Sequence, residues 1–304
     1  MKNKATILVT TDLSHNSKAG VRFAIQVAAL TQSTLVFYHV IELLTPTSWT
    51  QAEAVRFVDT TIKTGVAELN TFLEAIYALF PAMGLKHQSV VELGTDVDAS
   101  IINYAKKINA DFICMSTHGG GIFDKIVGTN ASTLVSISPI PVIVVPRDYH
   151  KKRIEKVGYA SDYAHIGQEM PIVEAIAASL NAQLDVYHFN YKVHDVYVKT
   201  DFEKIKAKYT SKKIAFHTPE ICLEYSLVEH LHRMIEKEKP SILVMFTEQK
   251  NNWLERFFIE SKAVDMSFNS KIPLVTIPKG RPHQIEPLER AFHKPVKTQK
   301  VLSY

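Results

Sequence analysis

Apolar residues along the chain fall into short unbroken runs separated by longer stretches with helical spacing, and this alternation occurs twice. Residues 5–9 form a β-rich run without polar alternation, the pattern of a strand buried on both faces. Val21, Ala24, Ile25 and Ala28 then recur on one helical face. A second buried strand is predicted over 35–40. A long helix over 51–79 has Val55, Val58, Ile62, Val66, Leu69, Phe72 and Ile76 as its inner stripe. Residues 89–93 read as a third strand. Thr95-Asp96-Val97-Asp98 has the form of a capping box, opening a helix striped by Val97, Ile101, Tyr104, Ala105 and Ile108. A fourth strand over 111–115, a helix over 130–137 and a fifth strand within Ile140-Pro141-Val142-Ile143-Val144-Val145-Pro146 complete the first half.

The second half repeats this order with a shorter middle. Strands are predicted over 156–159, 184–189, 214–217, 242–246 and 274–277, with a helix over 223–237 turning Leu227, Leu231 and Ile235 inward. Details recur as well. Val9-Thr10-Thr11-Asp12-Leu13-Ser14 corresponds to Tyr159-Ala160-Ser161-Asp162-Tyr163-Ala164, and Phe37-Tyr38-His39-Val40 to Val186-Tyr187-His188-Phe189. A repeat this long is a whole domain rather than a solenoid unit. The expected fold class is therefore α/β, with two tandem five-stranded parallel-sheet, Rossmann-like domains over 1–147 and 153–280. The polar stretch 147–153 reads as the linker. His39 and His188, at equivalent strand ends, are expected to make a shared structural hydrogen bond.

Composition narrows the function classes. A chain of 304 residues with 46% hydrophobic and 22% charged residues is ordinary for a soluble protein. Its net charge of +4 is too small to argue for nucleic acid, and most of it sits in a polar basic tail over 281–304. Cys114 and Cys222 cannot build a disulfide framework and have no C-x-x-C spacing, so both read as core thiols in a reducing compartment. No run approaches the roughly 18 apolar residues of a membrane span, and the start does not have the form of a signal peptide. A cytoplasmic protein with no membrane partner is expected.

Chemistry concentrates after the fourth strand. Ser116-Thr117-His118-Gly119-Gly120-Gly121 follows it, and Gly128-Thr129 leads into the next helix at Asn130. Glycines let backbone amides approach an anion closely, and a helix start adds free N–H groups and a positive dipole end. In an open parallel sheet, ligands bind beyond the strand ends where strand order reverses, which points to Asp12 and Ser116. Asp12 suits a ribose, a magnesium ion or a turn cap equally. Asp162 suits a cap.

On these residues the chain resembles a tandem universal stress protein of the UspA family, part of the adenine nucleotide alpha hydrolase-like group. The opening Ile7 to Ser14, the Thr117-His118-Gly119 and Gly128-Thr129 loop and Pro141 to Val145 carry the resemblance. It implies ATP, with magnesium, as cofactor. The implied binding residues are Asp12 near the ribose, Val40 at adenine, and Met115, His118, Gly119, Gly128 and Thr129 along the loop, with Thr11, Ser116, Gly120 and Asn130 expected beside them in the site. Family resemblance also implies that the fifth strands pair about a pseudo-twofold axis, making an internal pseudo-dimer that can pair again as a homodimer. The loop departs from the G-x2-G-x9-G-[ST] pattern of ATP-binding members: Ser116 replaces the first glycine, and eight residues rather than nine separate Gly119 from Gly128. Residues 246–261 of the second half contain no glycine but include Trp253, Phe257 and Phe258. Two functions stay open. One is a stress-response regulator binding an adenine nucleotide in its first half, with at most slow ATP hydrolysis. The other is a nucleotide-free interaction protein whose degenerate second half binds a protein partner or an apolar ligand.

Overall fold

The computed structural model describes residues 4–42, 49–80, 87–117, 130–150, 152–161, 165–188, 196–209, 213–218, 225, 227–247 and 272–279. In chain order the elements of the first half are β1 (Thr6–Thr10), α1 (Lys18–Thr31), β2 (Thr34–Glu42), α2 (Gln51–Tyr77), β3 (His87–Gly94), α3 (Val97–Lys107), β4 (Phe112–Ser116), α4 (Asn130–Ile137) and β5 (Val142–Val145). The second half supplies β6 (Lys156–Ser161), α5 (Ile166–Ser179), β7 (Gln183–His188), α6 (Val196–Tyr209), β8 (Ile214–His217), α7 (Leu227–Glu238), β9 (Ile242–Thr247) and β10 (Leu274–Pro278).

All ten strands join one sheet in the order β3-β2-β1-β4-β5-β10-β9-β6-β7-β8. Neighbours run parallel within each half, while β5 and β10 meet antiparallel with Val144 opposite Leu274 and Val142 opposite Thr276. The apolar runs are buried on both faces because successive side chains point opposite ways. Ile7, Val9, Phe112 and Cys114 face one cluster with α1, α2 and α5; Leu8, Ile113 and Met115 face another with α3, α4 and α7.

The repeat extends to the backbone. Gln32 and Asn181 end α1 and α5 in the left-handed region, and Asn109 and Lys239 do so after α3 and α7. Asp111 accepts from the amide of Thr6 at 2.7 Å, and Ser241 accepts from that of Lys156 at 3.3 Å, each just before the strand that follows its helix.

Three expectations need correction. The inner stripe of α2 is buried only in its second half, at Leu69, Leu73 and Ile76, whereas Val55 is 54% exposed. Its 27 residues span about 40 Å, well beyond the sheet edge it covers, so the first turns pass the core. The expected capping box of Thr95 and Asp98 does not open α3. Asp96 is the cap, accepting from the amide of Ala99 at 2.9 Å, and the box forms instead at Thr50 and Glu53 of α2. Part of the polar linker is also internal: Tyr149 is buried edge-on to Phe23, and Gln26 donates to the Lys152 carbonyl at 2.6 Å. Helix α6 is the shortened middle of the second half, 14 residues against the 27 of α2.

Candidate functional site

Strand β1 adds one further ladder bond, from the Thr11 amide to the Tyr38 carbonyl at 3.1 Å, and then turns sharply. Leu13 takes a φ of 62°, and side chains hold the turn: Thr11 Oγ1 accepts from the Leu13 amide at 3.0 Å and Asp12 Oδ1 from the Ser14 amide at 3.0 Å. The Thr11 and Ser17 hydroxyls lie 2.7 Å apart. Asp12 is therefore a turn residue with its carboxylate exposed at a strand end.

Ser116 ends β4 beside the first turn of α1. Its hydroxyl accepts from the Gly20 amide at 2.6 Å, an N–H that a helix start leaves unpaired, and donates to the Ser17 carbonyl at 3.2 Å. Gly20 permits this approach. A Cβ there would lie 2.9 Å from Ser116 Oγ and 3.0 Å from the Met115 carbonyl carbon. The serine that stands in place of the resemblance's first glycine is thus committed to helix α1. The next amide, Thr117, bonds the Val145 carbonyl at 2.9 Å, while the Thr117 hydroxyl is buried without a partner among the described residues.

Above these residues lies a cleft of about 280 Å³. It opens where strand order turns, since the chain leaves β1 for β2 on one side and reaches β4 on the other. Six of the residues singled out in the sequence line it: Thr11, Asp12, Val40, Met115, Ser116 and Asn130. His118, Gly119, Gly120, Gly128 and Thr129 lie outside the described residues. The sequence had not marked as site residues Thr10, Ser17, Tyr38, Glu42, Val97, Ile101 or Ala131, which complete the floor and rim. Tyr38 is their anchor. Its ring stacks on Tyr104 at 4.6 Å, and its hydroxyl donates to Glu92 at 2.8 Å. Burial, reinforced by Glu92, raises its pKa and keeps the phenol neutral. Only its place two residues before Val40 on one strand face could have flagged it.

The histidines behave alike in the two halves: His39 Nδ1 lies 2.8 Å from the Thr11 carbonyl and His188 Nδ1 lies 3.3 Å from that of Ser161. The surroundings otherwise diverge. Registers place Phe246 where the first half has Ser116, its ring edge-on to Tyr159 at 5.8 Å. Near it, buried Glu169 accepts from the Tyr159 hydroxyl and lies 3.8 Å from the ammonium of Lys279. An internal acid thus occupies the second half where the first brings two backbones together. Asp162 and 248–261 lie outside the described residues.

A charged cluster sits at the other end of the second half's strands. Asp185 is fully buried, with Lys156 Nζ at 3.0 Å, the Tyr187 hydroxyl at 3.1 Å and Gln183 Nε2 at 2.7 Å. Asp185, His217 and Glu238 bring ligand atoms within 4.8 Å of one another, the spacing of a metal trio. Lys156 already supplies a cation there, so the arrangement is a self-compensated ion-pair network.

A mostly parallel sheet with helices on both faces and a cleft at its reversal of strand order defines a doubly wound α/β protein. Residues 5–146 match the universal stress protein family. Its fold is similar to that of a universal stress protein from Archaeoglobus fulgidus DSM 4304, with 14% identity, a TM-score of 0.62 and coverage of 90% of this chain and 98% of that one. A functionally unknown protein from Pseudomonas aeruginosa PAO1 is similar at 13% identity and TM-score 0.58 over 95% of this chain and 96% of its own. A universal stress protein solved in complex with cAMP covers 46% of this chain and 96% of its own, at 21% identity and TM-score 0.35. No curated protein matches the chain. No helix among the described residues is long and apolar enough to cross a membrane.

Proposed function

We propose that the protein is a cytoplasmic stress-response regulator that binds an adenine nucleotide, ATP or a relative, in the first of two domains spanning 1–147 and 153–280. The observation that carries this is the cleft at the strand-order reversal, where Thr11, Asp12, Val40, Met115, Ser116 and Asn130 come together. Its chemistry suits a nucleoside. Val40, Val97, Ile101 and Met115 offer an apolar seat for a base, and exposed Asp12 can accept from ribose hydroxyls. Asn130 opens α4, whose free amides and dipole favour a phosphate. Magnesium would find a hard oxygen ligand in Asp12.

Mass spectrometry of small molecules released from the native protein is the direct test, with thermal shift against added adenine nucleotides beside it. Bound ligand raises the melting temperature through RT ln(1 + [L]/Kd). Gly119→Val should abolish that rise; an unchanged rise would remove the loop from the site. The second half supports the sheet and takes no nucleotide on this proposal, because Phe246 stands where the first half has the cleft residue Ser116.

A further inference from the structure

The charged cluster of the second half departs from the repeat in chemistry without a change of fold. By register, Asp185 corresponds to Val36, His217 to Val90 and Lys156 to Thr6. Glu238 stands where Ile108 does, just before the left-handed residue that ends its helix. The first half thus builds the same sheet with apolar side chains at three of these four positions. Buried ion pairs are generally no more stabilising than apolar residues of similar volume. Folding does not account for the cluster, and its donor set suits a metal ion.

Asp185 is fully buried, and Gln183 fixes its Oδ1 at 2.7 Å while Oδ2 turns to Lys156 Nζ at 3.0 Å and His217 Nε2 at 3.6 Å. The His217 ring is held by stacking on Tyr187 at 4.9 Å, and its Nε2 is buried without a hydrogen-bond partner among the described residues. Glu238 brings a carboxylate oxygen within 4.8 Å of both groups. Lys237 approaches Glu238 only from solvent, at 3.8 Å. Inside the cluster, one ammonium faces two carboxylates and leaves the imidazole nitrogen unmatched. A divalent ion would neutralise both carboxylates and take that nitrogen as a ligand.

We propose that this cluster is a divalent-metal site, with Asp185, His217 and Glu238 as ligands and Lys156 as the cation that holds their place until a metal enters. One imidazole with two carboxylates suits an ion of the zinc class better than calcium or magnesium, which take oxygen ligands. The Lys156 side chain is 27% exposed, and its ammonium is bound by Asp185 and the Glu238 carbonyl at 2.9 Å. Its flexible stem lets that charge move out to water while the strand stays in place.

Calorimetric titration of the EDTA-stripped full chain with zinc tests this, with cobalt(II) absorption as the report on coordination. The chain should take up a single zinc ion, and His217→Ala should weaken binding by at least about tenfold. Lys156→Thr combined with Asp185→Val should take up none. Lys156→Met separates a metal site from a purely structural network. With the competing cation gone, zinc should bind about tenfold tighter, and saturating zinc should restore the urea midpoint that this variant loses. No zinc uptake by the unsubstituted chain would overturn the proposal. So would uptake unchanged by His217→Ala and by the Lys156→Thr, Asp185→Val pair, or a Lys156→Met variant that zinc fails to stabilise.

Discussion

At the scale of single residues, Gly20 shows how little room the cleft's scaffold has. A methyl group there would press on Ser116 Oγ and on the backbone of Met115 and Ser116, all within 3.0 Å. Backbone cannot swing aside as a flexible side chain can, so Gly20→Ala should destabilise the protein by roughly 1–3 kcal/mol, measured as a lower urea midpoint with an unchanged slope. Ser116→Gly should also cost stability, since it leaves the buried Gly20 amide without its 2.6 Å partner. These roles were not legible in the chain. Ser116 could be recognised as the departure from a glycine, but its work for α1 depends on a neighbour 96 positions away. His39 and His188 were legible because the repeat placed both at the same strand end, where each meets the carbonyl of the preceding strand's turn.

At the scale of elements, periodicity gave the inner strands β1, β4, β5 and β9 well because each is buried on both faces and leaves no competing pattern. It misjudged α2, whose apolar spacing continues into turns that no core reaches. Helix α7 carries a pH dependence. His232 is buried, and loss of solvation lowers its pKa from 6.5 to about 4, against a smaller opposing pull from Glu229. The unfolded chain takes up this proton first as pH falls, so the contribution is complete above about 6.5 and is lost between there and about 4. Urea midpoints should decline across that window, and the decline should be shallower in His232→Leu; an identical slope in the variant would exclude His232 as the source. The Asp185 network has a matching logic. By register, Thr6 and Val36 of the first half are the equivalents of Lys156 and Asp185 of the second, so the fold itself does not require the charges. Lys156→Met alone strands a buried carboxylate and should cost about 3–5 kcal/mol, whereas Lys156→Thr with Asp185→Val should recover most of it.

At the scale of the whole molecule, the seam couples the two halves of the duplicated chain. Strands β5 and β10 meet over three registered pairs, and the Thr276 hydroxyl donates to the Val142 carbonyl across the seam at 3.3 Å. So short a ladder would be a weak joint by itself, but side chains close it on both faces. Ile143, Val145, Val275 and Ile277 share one core with α1 and α5, while Val142, Val144 and Leu274 share the other. Separating the halves would expose two apolar strand edges and open both cores, a cost that falls on each half at once. Buried Tyr149 and the bond from Gln26 to Lys152 fix the connecting segment against the same surface. Thermal unfolding should therefore be a single cooperative transition, with calorimetric and van't Hoff enthalpies in agreement. Val275→Lys places a charge in the seam, where the native residue is 4% exposed, and should lower the midpoint and split the transition into two. Two resolved transitions in the unsubstituted protein would mean that the halves hold their folds alone and that the seam joins them without stabilising either.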